Sequence, residues 1–281
     1  MLGPAGYGLP LVAAEDVGEP ELALIALVRA DEPGRVGIAG MRTIARALLA
    51  AGLPLVFAPG AIHLPTVPAH RKWNRIDIGT ADKVASVALG IADQAERLGI
   101  AYEQTSFVLL ELGGAFTAAL AVDGGQIVDG LGGSSGPIGA RACGALDAEA
   151  AYLIGPALSK QTVFSGGALE RDEPEGWQAL EEGAAKAALA LTVSVPRPRE
   201  ILVAGRLAGR LTRPLAGRLA AVAPVRAVAG ALSAARGAAL LADGLAGGRY
   251  APLVECMRLR EATGSALDHL RMHGVESIRL G

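Results

Sequence analysis

Apolar runs of strand length, cut by glycine and aspartate, are densest between Phe107 and Val128. Phe107 to Leu110 leads through Glu111 and Leu112 to Gly113-Gly114. Phe116 to Val122 turns at Asp123-Gly124-Gly125, and Gln126 to Val128 continues to Asp129-Gly130 and a glycine- and serine-rich loop. Runs of this kind read as strands, and Asp-Gly between two of them reads as a hairpin. Upstream, Leu22 to Val28 has strand length, Asp31 to Gly37 reads as a turn, and Leu53 to Ala58 reads as a short buried strand. Met41 to Ala51 has helical period with Ile44, Leu48 and Ala51 on one side, and Gly52 is its stop signal. Pro65 and Pro68 break any continuous helix through Ala61 to Arg75. Ile76 to Gly79 is strand-like. Thr80 then caps a helix from Ala81 to Leu98, with Val84, Val87, Ala88, Ile91 and Ala95 on its apolar face and Gly99 as its end.

Helices follow at Asp147 to Ile154 and Glu175 to Val195, then a strand at Glu200 to Ala204 meeting Gly205-Arg206. A helix begun or broken near Pro214 runs to Val222, a strand covers Val225 to Val228, and a helix covers Ser233 to Ala246. Tyr250 to His269 reads as largely helical. Strands alternating with helices argue for α/β layers with parallel pairing and one antiparallel hairpin. A boundary near residues 100 to 106 divides the chain into 1–104 and 105–281.

The 281 residues suffice for two such units. A net charge of −2 with mixed signs, and only 4% aromatic residues, argue against a nucleic-acid partner. Cys143 and Cys256 form neither a disulfide framework nor a zinc motif. The apolar stretches are too short to span a bilayer and no signal-peptide pattern opens the chain, so a cytoplasmic protein with no membrane partner is expected.

Five clusters carry candidate chemistry. Gly113 and Gly114 let main-chain N–H groups approach an anion, and Glu111 beside them can hold Mg²⁺ through water. A buried hairpin with a tight turn explains the same residues equally well. Gly205-Arg206 closes a strand before a helix, where nucleotides often lie, although one glycine there is also ordinary structure. Asp77, Gly79, Thr80 and Lys83 at a strand–helix junction suit phosphate and metal, or simply cap the helix. The basic stretch His63, His70, Arg71, Lys72 and Arg75 offers guanidinium forks for a carboxylate or phosphate. Its histidine spacing excludes a helical zinc pair, and His63 sits in an apolar context that also suits a structural histidine. Asp129 with the loop Gly130 to Gly136, including Gly132 and Gly133, could close over phosphates or serve as a linker. A nucleophile elbow, a Walker A sequence and a dinucleotide fingerprint are all absent from the sequence.

The strings GYGLPL, PGAIHLPTVPAHRKWNRIDIGTADK, FVLLELGGAFTAALAVDGGQIVDGLGG and GALDAEAAYLIG together resemble the proteins described as predicted butyrate kinases. These belong to the superfamily of acetate and sugar kinases, heat-shock chaperones and actin. The resemblance implies two ribonuclease-H-like, actin-like lobes around a nucleotide cleft. The first lobe would lack its N-terminal strand pair, because the superfamily's first Asp-x-Gly-Thr loop has no counterpart before GYGLPL. Asp77 to Thr80 matches that pattern but precedes a helix. Glu111 to Thr117 would be the second phosphate loop, with glutamate where aspartate is common. Leu202 to Gly205 would be the adenosine-side strand and turn, with a single glycine before Arg206.

The resemblance thus implies an ATP-dependent phosphotransferase using ATP and Mg²⁺ on a small carboxylate, with a homodimer as one candidate assembly. Glu111, Arg71 and Asp77 would be catalytic, with Arg75 as the alternative arginine. Gly113, Gly114, Thr117, Gly132, Gly133, Gly205 and Arg206 would hold the nucleotide. Glu111 with Asp129 would hold the metal, and His63, Arg75, Thr80 and Lys83 would face the substrate. Two other outcomes fit the same sequence: an ATPase-type activator of that superfamily, or a degenerate nucleotide-binding scaffold without catalysis.

Overall fold

The computed structural model describes residues 1–3, 5–32, 39–171, 173–228, 230 and 232–281. The expected turn at Asp31 to Gly37 falls mostly outside these. Three two-residue strands, β1 (Leu2–Gly3), β2 (Val12–Ala13) and β3 (Val56–Phe57), form a small sheet ordered β1-β3-β2. β3 pairs parallel to β1 and antiparallel to β2. Between β2 and β3 lie α1 (Glu19–Ala26) and α2 (Ala39–Ala50). The run from Leu22 is therefore helix, not strand. Gly18 N–H donates to the Glu21 carboxylate at 2.9 Å and Leu27 leaves the helix in the left-handed conformation, two end signals that a short apolar run does not display. On α2 the inward positions are Met41, Ala45 and Leu49, whereas Ile44 is 55% exposed. The helical period holds, but packing against Leu9, Ile25 and Phe57 selects a different face.

The short α3 (Ala69–Lys72) and the long α4 (Ala81–Leu98) come next. α4 has its expected bounds, and Gly99 ends it in the left-handed region. Ile76 to Gly79 is not a strand; its backbone is engaged by a distant loop, as shown below. A five-stranded sheet follows, from β4 (Ser106–Leu112), β5 (Thr117–Asp123), β6 (Gln126–Leu131), β7 (Glu200–Ala204) and β8 (Val225–Ala227), ordered β6-β5-β4-β7-β8. Only β5 runs against the others, which is the ribonuclease-H-like arrangement. Gly124 and Gly125, at φ +59° and +71°, make the two-residue turn between β5 and β6, as Asp-Gly-Gly predicts.

The remaining helices are α5 (Ala148–Ile154), α6 (Lys160–Val163), α7 (Gly176–Leu191), α8 (Ala208–Arg218), α9 (Ser233–Leu245) and α10 (Ala251–Cys256). Pro214 lies inside α8, and Tyr250 to His269 is helical only through α10 and a 3₁₀ turn at Leu259–Glu261. Alternate residues of the large sheet serve two cores. Phe107, Leu109, Leu120 and Leu202 face α4, α9 and α10, while Val108, Leu110, Ala119 and Val203 face α7 and α8. A third cluster under the small sheet gathers Leu9, Ile25, Ala45 and Phe57. Glu200, at the start of β7, accepts from Gln94 at 2.9 Å and Arg226 at 3.1 Å, which ties α4 to β7 and β8 at the end of the sheet remote from the cleft. Among the described residues, no helix is long and apolar enough to cross a membrane.

Candidate functional site

Strand parity decides where each carboxylate of the large sheet points. Glu111 shares the face of Phe107 and Leu109, so it leaves the C-terminal end of β4 toward α4. There its Oε2 lies 3.2 Å from Lys83 Nζ, both side chains being almost fully covered. The contact has ion-pair distance but not hydrogen-bond alignment, and Oε2 has no hydrogen-bond partner. Lys83 also reaches Asp82 Oδ2 at 2.6 Å, and Asp82 accepts from the Thr80 hydroxyl. Burial opposes the Lys83 charge, but Asp82 and Glu111 outweigh it and hold the ammonium above its ordinary range. Burial likewise pushes the Glu111 carboxyl up, against the pull of Lys83.

After Glu111 the chain reverses through Gly113 to Phe116. Gly113 N–H donates to Phe116 C=O at 2.9 Å, closing the turn. That amide is thus used internally, whereas the N–H groups of Gly114, Ala115 and Phe116 donate to no group among the described residues. Two guanidinium groups flank the turn. Arg141 Nε donates to Gly114 C=O at 3.2 Å, and a Cβ on Gly114 would sit 3.3 Å from Arg206 Cδ. Gly205 closes β7 at φ +92°, and a Cβ there would lie 2.7 Å from Glu111 Oε1. Only glycine permits both that conformation and that approach.

Asp77 occupies the junction before α4. Its Oδ1 accepts from Gly79 N–H at 3.0 Å, and its Oδ2 accepts from the Ser134 N–H and hydroxyl at 3.1 and 3.2 Å. Its C=O accepts from Gly132 N–H at 3.2 Å and from the Ser135 hydroxyl. A Cβ on Gly132 would fall 1.9 Å from Oδ1, so the loop after β6 straps tightly over this carboxylate. These long-range bonds explain why Ile76 to Gly79 does not join a sheet.

β1, the starts of α4 and α9 and the turn after β4 line a cleft of about 680 Å³, within the size range of small-molecule sites. Its walls are mostly apolar, including Leu2, Met41, Ala58, Phe116 and Phe164, and its charged lining is Asp77, Asp82, Lys83 and Arg141. The 18-residue α4 directs its N-terminus here, and a helix start favours negative charge.

The structure brings together Glu111, Gly113, Gly114, Gly205, Arg206, Thr80 and Lys83 around the turn, and Asp77, Gly132 and Gly133 around the strap. Other expected residues lie elsewhere. Arg71 and Asp129 meet each other at 3.7 Å on the outer strand β6, where Arg71 also donates to Val128 C=O at 2.8 Å. Asp129 pairs with Ala121 and so faces α7, opposite to Glu111, and its oxygens accept from Gly130 N–H and the Ser194 hydroxyl at 2.8 and 2.6 Å. A metal shared by Glu111 and Asp129, and an Arg71 acting in the cleft, do not fit this geometry. Thr117 also faces the α7 side, 1% exposed, with its hydroxyl unbonded. His63 is buried with Nδ1 3.2 Å from Gly60 O, and burial lowers its pKa to about 4. Neither His63 nor Arg75 lines the cleft. Arg141 was missed: it stands in an irregular loop where no periodicity singles it out.

Among the described residues, no group of three or more His, Cys, Asp or Glu side chains converges as metal ligands. Comparison with solved structures gives a propionate kinase from Francisella tularensis subsp. tularensis SCHU S4, with TM-score 0.60 and 14% identity over 84% of this chain and 76% of that one. An acetate kinase from Entamoeba histolytica matches with TM-score 0.54 and 10% identity over 78% and 66%. The Porphyromonas gingivalis acetate kinase matches with TM-score 0.51 and 14% identity over 74% of this chain, which spans 60% of that enzyme. At such identities the likeness establishes the fold: mixed α/β with actin-like lobes. These three are acetate and propionate kinases, so the butyrate kinase resemblance is met only at the level of that wider fold. No curated protein matches the chain significantly. One family model runs through both sheets and the cleft between them, over residues 1–272, and the chain therefore belongs to the family described as Protein of unknown function (DUF1464).

Proposed function

We propose that the protein is an ATP-dependent phosphotransferase whose acceptor is a small carboxylate, a short-chain acid such as butyrate. One observation carries this reading: a largely apolar cleft whose charged lining, Asp77, Asp82, Lys83 and Arg141, lies about the start of α4 and the turn after β4, where Arg141 holds the Gly114 C=O and Lys83 meets Glu111. Cations and oriented amides at one spot are what transferring phosphoryl oxygens require, and phosphoryl transfer is accelerated chiefly by positioning and charge neutralisation. Arg141 and Arg206 flank the turn and would bind phosphate oxygens. Lys83, held charged by its two carboxylates, would lend its remaining hydrogen-bonding capacity to the same oxygens. The apolar walls would exclude water and hold the acyl body.

Mg²⁺ would be held at Glu111, the β-sheet carboxylate among the described residues that faces the cleft end of α4, through water and in exchange for the contact of its buried Oε2 with Lys83 at 3.2 Å. Mg²⁺ commonly relies on one or two carboxylates with substrate phosphates, so a single such residue suffices. When bound it would neutralise phosphate charge. Asp77, with every oxygen engaged, would act as the anchor of the loop after β6 rather than as a base.

The test is ATP turnover with and without short-chain acids, with hydroxylamine trapping of acyl phosphate. Acid-dependent ADP release with trapped hydroxamate supports the proposal. Acid-independent turnover would instead identify an ATPase-type activator, and failure to bind Mg-ATP a scaffold.

A further inference from the structure

We propose that the Tyr7 hydroxyl on the cleft wall and the Lys160 ammonium bonded to it form an anion subsite, which takes the carboxylate of the acceptor while its apolar body lies against Phe116 and Phe164. The inference rests on the carboxylate reading above and adds residues that reading does not use.

Lys160 opens α6, and Phe164 N–H donates to its C=O at 3.1 Å, so the two side chains share one face of the helical turn. Phe164 lines the cleft and meets Phe116 edge to face at 5.0 Å. Lys160 Nζ reaches Tyr7, also a lining residue, donating to its hydroxyl at 3.3 Å and lying 4.7 Å from the ring centre. Among the described residues no carboxylate lies within ion-pair distance of this ammonium. Glu32 is close in space but spends an oxygen on the Lys160 backbone N–H at 2.8 Å. A half-buried ammonium satisfied by one neutral hydroxyl has two donors left and a charge to offset. The aromatic pair beside it supplies the apolar surface that a short acyl chain needs.

The charges facing Lys160 are Glu32, Asp77 and, behind Glu32 at 3.9 Å, Arg29, whose guanidinium also donates to Leu158 C=O. Burial lowers the Lys160 pKa to about 8, with Glu32 and Asp77 pulling the other way. Tyr7, raised by burial and then by Asp77, stays protonated and able to donate. Anion affinity is therefore expected to fall as pH rises through about 8.

The experiment is calorimetric titration of butyrate, and separately of inorganic phosphate, into the nucleotide-free full chain at neutral and alkaline pH. Wild type should bind butyrate and weaken at alkaline pH. Lys160→Met should lose about ten- to a hundredfold at neutral pH, the range of one charge-assisted hydrogen bond, and lose the pH dependence. Lys160→Arg should bind at both pH values, and Tyr7→Phe should weaken binding with the pH dependence intact. Unchanged butyrate affinity in Lys160→Met, absence of butyrate binding in wild type, or loss of phosphate rather than butyrate in the variant overturns the subsite. Transfer assays on the same proteins separate the two ideas. Transfer to butyrate with an unchanged KM in Lys160→Met leaves the enzyme reading and removes the subsite. Lys160-dependent butyrate binding without any transfer does the reverse.

Discussion

Lys83→Met removes the cation between two carboxylates while keeping the length of the side chain. At the observed 3.2 Å, and at an effective dielectric constant of roughly 20, the ammonium and Glu111 attract by about 5 kcal/mol. Not all of this is lost. Glu111 can take up a proton, and Asp82, half exposed, can turn to solvent. The net cost should sit near the lower end for breaking a buried pair, about 3 kcal/mol. For a chain of this size that lowers Tm by about 6–12 °C. The pH dependence follows from the direction of the shift. An unpartnered buried Glu111 has its folded pKa raised further above its unfolded value, so the folded state binds the extra proton. The variant should therefore approach wild type at acidic pH and fall behind it as pH rises past the ordinary carboxylate range. Thermal melts at pH 5 and pH 8, with Lys83→Met/Glu111→Gln as the restoring pair, measure this. A Lys83→Met protein that melts like wild type at pH 8 would show that Glu111 never depended on Lys83.

Other residues give sharper contrasts. Arg71→Ala should leave phosphoryl transfer unchanged within about twofold, since its partners are Asp129 and Val128 on the outer strand; a collapse in kcat would return Arg71 to the cleft. His63, with pKa lowered to about 4 against an ordinary 6.5, should stabilise fully above pH 6.5 and lose about 3 kcal/mol as pH falls toward 4. Denaturant melts of wild type and His63→Gln across that window should converge at acidic pH, and a constant gap would contradict it. Gly132→Ala should release the loop from Asp77, because the new methyl would overlap Oδ1. Accelerated amide exchange at Gly132 and Ser134 is the expected signature, and unchanged protection there would count against the strap.

Much of this was legible in the residues. α4 was found to the residue because Thr80 and Gly99 punctuate a clean 3.6-residue apolar period. β4, β5 and β7 were found because continuous apolar runs between glycines leave few other structures open. What failed depended on contacts between distant residues. Ile76 to Gly79 carries strand-like side chains, yet Ser134 and Ser135 claim its polar groups. Asp129 looked like a partner for Glu111, but the pairing shifts between Ala121 and Val122, and parity then sends Asp129 to the opposite face. Arg141 sits in the long irregular passage between β6 and α7, where only the fold shows that it lines the cleft, and only the fold shows that Lys160 reaches Tyr7.

A crystal structure with Mg²⁺ and a non-hydrolysable ATP analogue tests the central claim most directly. The account predicts the terminal phosphates at the Gly114–Ala115 turn, within hydrogen-bond reach of those amides and of Lys83 and Arg141. A nucleotide seated outside this cleft, or phosphates that leave the turn and Lys83 untouched, would contradict it.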